Sequence, residues 1–148
     1  MVGDPISWII FDIDGTVADC RHRQHHVTRT VPDWESFFAA SDLDGPLAEG
    51  VALALEHAAA GRLLWLTGRP ERYRPGTIRW LQDCGLPTNH LHMRPNDDMR
   101  PAAEYKVESL RRLAAELRIQ LIVDDDDLVV AAVRKAGWPV LHAKWMTA

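Results

Sequence analysis

The sequence predicts an α/β fold, a parallel sheet of about five strands with helices on both faces. Three observations predict it. Short apolar runs without clean alternation recur along the chain, as strands buried on both faces require. Helical stretches lie between them and stop at Gly61, Gly85 and Gly137, where a left-handed C-terminal cap would sit. The 148 residues suit one domain with one core, so residues 1–148 are expected to form a single unit.

Each element follows from local pattern. Strands are expected at residues 7–13, 62–67, 90–94, 120–123 and 139–143, all short and apolar. Helices are expected at 47–60, 77–84 and 127–136, each bounded by one of those glycines. The longest helix is expected at 101–118. Its Val107, Leu110, Leu113, Ala114 and Leu117 fall at helical spacing and would face the sheet. Residues 19–44 break the rhythm. They hold one short helix, 33–40, in what otherwise reads as a small flap-like insertion.

Composition excludes several classes. Hydrophobic content of 47% and charged content of 26% are ordinary for a globular protein. The net charge of −4 does not mark the whole molecule as a nucleic-acid binder. Cys20 and Cys84 are the only cysteines, too few for a disulfide framework, which fits a reducing cytoplasm. No apolar run reaches the ~18 residues of a membrane span. The N-terminus carries Asp4 and Pro5 rather than a basic lead into a secretory signal.

The chemistry stands at the strand ends. In an open parallel sheet, ligands bind beyond the carboxyl ends of the strands. The first strand delivers Asp12 and Asp14, the second Thr67, Gly68 and Arg69, the fourth Asp124 and Asp125. The helix after the third carries Lys106 in its early turns. Several carboxylates on one edge hold each other protonated unless a cation neutralises them. A hard divalent ion does so, and Mg²⁺ is the usual choice where a phosphate completes its shell. Thr67 offers a hydroxyl, Gly68 a backbone N–H and Lys106 a compact positive charge, the parts of a phosphoryl-transfer site. A calcium loop is disfavoured, because Thr16 and Val17 break the EF-hand spacing. Asp126 and Asp127 are expected to cap the following helix.

Asp12-Ile13-Asp14-Gly15-Thr16, then Thr67, Lys106 and Asp124-Asp125, resemble in order the four motifs of the haloacid dehalogenase superfamily. The resemblance implies a Rossmann-like sheet and Mg²⁺-dependent phosphomonoester hydrolysis. Asp12 would be the nucleophile that forms an aspartyl-phosphate, and Asp14 the general acid and base. Thr67, Gly68 and Lys106 would hold the phosphoryl group. The Asp12 carboxylate, the Asp14 backbone carbonyl and Asp124 would hold the ion, with Asp125 close by. A narrower resemblance is to the phosphatase domain of polynucleotide kinase–phosphatases. It is carried by Thr67-Gly68-Arg69, Trp80-Leu81, Arg100 before Lys106, Val129-Val130 and Trp138 to Val140. That family usually has an arginine after the acidic pair, where this chain has Asp126. The sequence holds no Gly-x-x-x-x-Gly-Lys-Ser/Thr phosphate loop, so the kinase half is not expected in it.

The expected function is a phosphatase, with a nucleic-acid 3′ end as the favoured substrate and a nucleotide or small metabolite as the alternative. A non-catalytic phosphate-binding module is the weaker alternative, because a pure binder has no use for a nucleophile. The basic run "CRHRQHHVTRT", residues 20–30, would hang over the site. Arg21 and Arg23 are candidate substrate contacts, Arg69 either contacts substrate or pairs with an acid, and Arg72, Arg74 and Arg79 would extend a basic rim. His22 and His26, four apart, form a candidate metal pair, weighed against a solvated flap. Trp34 is expected to pack the flap rather than to stack on a base.

Overall fold

In the computed structural model, which describes residues 6–146, five parallel strands form one sheet. Asp4 and Pro5 lie outside the described residues. The strands are β1 (Ser7–Phe11), β4 (Leu63–Pro70), β5 (Leu91–Arg94), β6 (Arg118–Asp124) and β7 (Val140–His142), ordered β5-β4-β1-β6-β7. Two short strands, β2 (Ala18–Asp19) and β3 (Gly45–Pro46), pair antiparallel. They zip together the two ends of the segment that broke the rhythm. Between them lie a 3₁₀ helix, Arg21–His26, and α1 (Trp34–Ala39).

Side chains alternate across the sheet and build two cores. Ile9, Phe11, Leu63, Trp65 and Val123 point to one face, which α2 (Ala48–Ala59) and α3 (Arg74–Asp83) cover with Ala54, Trp80 and Leu81. Ile10, Leu64, Leu66 and Ile122 point to the other. There α4 (Ala102–Ala114) and α5 (Asp127–Ala136) pack Tyr105, Leu110, Val129 and Val133. The two-residue period of the strands separates neighbours onto opposite faces.

The helices stop where the glycines stand. Gly61, Gly85 and Gly137 have φ of +70°, +75° and +101°, a region that costs an L side chain energy. α5 also starts as expected, with the Asp126 carboxylate accepting from Leu128 N and Val129 N.

Three boundaries differ from expectation by three residues or more. α4 ends at Ala114 instead of reaching 118, because Arg118 and Ile119 pair with Ser7 and Trp8. Sheet pairing there overrides helix propensity. Ala114 accordingly is exposed rather than facing the sheet, whereas Val107, Leu113 and Leu117 do pack against it. β4 runs on through Pro70, three residues beyond its expected end at 67. α3 begins three residues earlier than expected, at Arg74 with Pro75 in its first turn, where a proline is tolerated.

Candidate active site

β1 and β6, neighbours at the centre of the sheet, bring Asp12 and Asp124 together at their carboxyl ends. Oxygens of Asp12, Asp124 and Asp125 lie within 4.8 Å of one another. Lys106, buried in the second turn of α4, donates from Nζ to Asp12 Oδ1 at 2.8 Å and to Asp124 Oδ2 at 2.5 Å. Backbone bonds fix the floor: Asp12 N donates to Val123 O and Ala143 N to Asp124 O, both at 2.9 Å.

Gly15 admits the third acid. A Cβ there would lie 1.9 Å from Asp125 Oδ2, so any other residue would push Asp125 out of the cluster. Gly15 also has φ of +79°, which the tight turn after Ile13 requires. That turn is pinned from behind, where Trp145 Nε1 donates to Thr16 O at 2.7 Å. Gly50 in α2 lets the helix approach, since a Cβ there would meet Thr16 O at 1.8 Å.

Three carboxylates face one lysine here. Burial and the charge of Asp124 raise the Asp12 carboxyl well above its usual range. Burial, with Asp124 also contributing, pushes the Asp125 carboxyl up to about 6. Lys106 moves the opposite way to what burial alone would do, because Asp12 and Asp124 hold its proton. A cluster so short of positive charge fits a divalent cation with oxygen ligands. Asp12, Asp124 and Asp125 are the side chains able to hold it.

Asp14 is turned elsewhere. Its Oδ1 accepts from Arg23 Nη2 at 2.5 Å and from Arg69 Nη2 at 2.6 Å. Burial alone would raise this carboxyl, but Arg69 and Arg23 outweigh it and hold it at about 2. Only the Asp14 backbone carbonyl is left for an ion. The same two arginines close on Asp44. Arg23 Nε and Nη2 donate to its two oxygens at 2.8 and 2.5 Å, and Arg69 Nη2 lies 3.5 Å from it.

Arg23 therefore does not sit on an exposed basic rim as expected. It is fully buried, because two carboxylates and the Phe37 carbonyl take its donors. Arg69, also buried, pairs with acids and donates to Thr77 Oγ1 at 3.1 Å. Arg21 is exposed and pairs with Asp19 at 2.5 Å. Of Arg72, Arg74 and Arg79, only Arg72 lines the cavity above the acids. His22 and His26 do not form a pair, since on a 3₁₀ helix residues four apart leave one face. His22 Nε2 instead lies 2.6 Å from Asp44 Oδ1.

The pairing of β4 with β5 breaks register between Leu66 and Pro70. Thr67, Gly68 and Arg69 are thus released from that ladder beside the acids, as bulges near functional sites do. Thr67 Oγ1 accepts from Arg69 N at 3.1 Å, which leaves its own proton to donate. Sequence patterns did not mark Arg94, at the carboxyl end of β5. It lines the same cavity and donates to Gly68 O, Asp98 O and Arg100 O. Its place as the last residue of a parallel strand was the available signal. Asp44 carried none, since it stands in an irregular segment and its partners Arg23 and Arg69 lie 21 residues upstream and 25 downstream.

Comparison with known proteins agrees with this geometry. The family model described as the polynucleotide kinase PNKP phosphatase domain matches residues 6–145. No curated protein matches the chain in sequence. Among solved structures, the Pnkp1/Rnl/Hen1 RNA repair complex contains a chain similar at a TM-score of 0.79 and 22% identity. The match covers 93% of this chain and 42% of that one. Another structure of a Pnkp1/Rnl/Hen1 complex matches at a TM-score of 0.77 and 22% identity, over 92% and 45%. This chain thus spans less than half the length of those relatives. A class C acid phosphatase from Bacillus anthracis, with tungstate bound, is similar at a TM-score of 0.63 and 18% identity, over 90% and 62%. At these identities the structural likeness is one of fold.

Proposed function

The chain belongs to the family of polynucleotide kinase phosphatase domains, within the haloacid dehalogenase phosphatases, and from that premise we propose that it removes a terminal phosphate from nucleic acid through an aspartyl-phosphate. As an enzyme of this family it is a phosphatase. The 3′ end as substrate, the covalent route, the dependence on Mg²⁺ and a cytoplasmic setting are proposals. The observation that carries the covalent route and the dependence on Mg²⁺ is the cluster at the sheet edge: Asp12, Asp124 and Asp125 around Lys106, beside the freed Thr67-Gly68 turn of β4; the 3′ end rests on the family.

The residues divide the chemistry. Lys106 holds Asp12 by one oxygen, which orients its carboxylate as a nucleophile and steadies the incoming phosphoryl oxygens. Thr67 Oγ and the Gly68 N–H would donate to the same oxygens. Asp12 attacks phosphorus, the bond to the leaving oxygen breaks, and that oxygen takes a proton from Asp14. Asp14 is ionised in the free protein, in the grip of Arg23 and Arg69; an anionic substrate beside it raises its proton affinity, so it takes up one proton from solvent and passes that proton to the leaving oxygen. It then accepts a proton from the water that attacks the aspartyl-phosphate, which frees phosphate and restores Asp12. Asp12, the Asp14 carbonyl and Asp124, with Asp125 adjacent, would hold Mg²⁺, which would supply charge stabilisation for the transferring group.

One observation favours a nucleotide or small-metabolite substrate instead. The charges of Arg21 and Arg23 are paired with Asp19, Asp14 and Asp44, so the basic run offers less to a long anionic chain than its sequence implied. Phosphate release with Mg²⁺ from a 3′-phosphorylated oligonucleotide, a 5′-phosphorylated one and a mononucleotide separates the two. The proposal expects the highest efficiency on the 3′-phosphorylated oligonucleotide, with a preference that fades as salt rises. Equal or better turnover of the mononucleotide, insensitive to salt, would replace it with the alternative.

A further inference from the structure

The cavity over the acidic cluster has two unlike walls. The flap contributes Val27, Trp34 and Phe38, the end of β5 contributes Arg94, and the segments after β4 and β5 contribute Arg72 and Met99. Asp12, Asp14 and Lys106 lie at its floor. Its volume of about 470 Å³ lies in the range of small-ligand sites. A phosphoryl group uses only the floor. The apolar wall has no part in the chemistry, yet Trp34 keeps 51% of its surface exposed.

Trp34 is exposed but held. Its ring stacks on Phe38, with centroids 6.0 Å apart and planes at 26°. It also meets Phe37 edge-on, at 5.6 Å and 88°. Phe37 lies under the Arg23 guanidinium, 4.3 Å from ring centroid to Cζ, and Arg23 binds Asp14. One chain of contacts therefore fixes the indole relative to the acid that faces the leaving oxygen. On the far side, Glu35 of α1 accepts from Arg72 Nη2 at 2.8 Å and also binds the Tyr73 hydroxyl. These bonds tie the helix to the opposite wall.

That wall carries charge for an anion. Among the described residues Arg94 has no ion pair. Backbone carbonyls accept its hydrogen bonds, and its guanidinium lies over Tyr105, 4.8 Å from the ring centroid. A guanidinium held by neutral acceptors keeps its charge available. A flat exposed indole, an unneutralised arginine across from it and phosphoryl donors below match the end of a single nucleic-acid strand.

We propose that Trp34 is the stacking platform for the nucleobase of the nucleotide that carries the scissile phosphate. This rests on the proposed action on phosphorylated nucleic-acid ends and narrows it to one side chain. It also revises the expectation that Trp34 serves only to pack the flap.

The test uses two 3′-phosphorylated single-stranded oligonucleotides, identical except that the terminal nucleotide of one is abasic. Their binding to the Asp12→Asn protein is followed by fluorescence anisotropy, so the readout does not need turnover. Adding Trp34→Ala should weaken the base-bearing strand about tenfold and the abasic strand less than about twofold. Trp34→Phe, which keeps a ring on Phe37 and Phe38, should retain most of the difference. Equal losses on both strands, no loss on either, or a Phe variant as weak as the Ala variant would overturn the proposal. So would an Asp12→Asn protein that binds neither strand. Phosphate release by the wild-type protein is measured alongside. Absent release with a base-dependent Trp34 effect leaves the platform standing and removes the phosphatase reading; release with a base-independent effect does the reverse.

Discussion

Two buried charge clusters lie side by side beneath the flap, and they are balanced differently. At the sheet edge Asp12, Asp124 and Asp125 face only Lys106. A few ångströms on, Asp14 and Asp44 face Arg23 and Arg69. The first cluster has excess acid, and its carboxyls Asp12 and Asp125 are raised. The second is closed, and Asp14 is lowered to about 2. The difference separates two jobs. An open cluster can take up a cation and a phosphoryl group. A closed one holds a single carboxylate, Asp14, in place.

The largest effect should come from the open cluster. Asp12→Asn is expected to cut turnover by roughly 10⁴-fold or more, because it removes the proposed nucleophile at constant volume. It also removes one of three repelling charges, so the metal-free protein should melt no lower than wild type. Thermal unfolding in chelator checks this, and a clear drop would mean the cluster is already balanced without a cation.

The closed cluster should respond in the opposite way. Arg23→Met leaves Asp14 and Asp44 short of a buried partner. Breaking such a pair costs about 3–5 kcal/mol, a fall in melting midpoint on the order of 10 °C for a chain of this size. A midpoint within a degree or two of wild type would show that Arg69 and His22 suffice.

Mg²⁺ sharpens the contrast. At a hundred times its dissociation constant it should add about 2.7 kcal/mol, roughly 5–10 °C in the midpoint. Asp124→Asn should abolish that shift. An unchanged shift would place the ion outside the open cluster.

Asp126 is an acid belonging to neither cluster, and its effect should be smallest. It accepts from Leu128 N and Val129 N at the start of α5, at 2.9 and 3.0 Å. Asp126→Ala should cost about 1 kcal/mol in denaturant unfolding and leave the Mg²⁺ shift unchanged. Loss of that shift would make Asp126 part of the ion site.

The open cluster was legible in the sequence and the closed one only in Asp14 and Arg69, for a physical reason. Asp12, Thr67 and Asp124 each end an apolar strand, so the rule for parallel sheets places them on one edge before any side chain is seen. Lys106 follows from its helix. Arg23 and Asp44 belong to a segment without hydrophobic period, and only the pairing of Ala18 with Pro46 and of Asp19 with Gly45 brings them together. That long-range closure is invisible to local pattern. The acid-free run from Cys20 to Thr30 read as a basic flap facing the substrate, whereas burial turns Arg23 inward. Gly15 read as part of a motif; its steric role toward Asp125 needs the β1 and β6 ends in register.

In the proposed mechanism Asp12 carries the phosphoryl group. Asp14→Asn protein is incubated with Mg²⁺ and an aryl phosphate, quenched in acid and digested, and its peptides are weighed. A good leaving group needs no general acid, so Asp12 should still be phosphorylated, while hydrolysis of the intermediate lacks its base. The account predicts one added phosphoryl group, on the peptide that contains Asp12. Continued turnover with no adduct, or an adduct on any other residue, would contradict it.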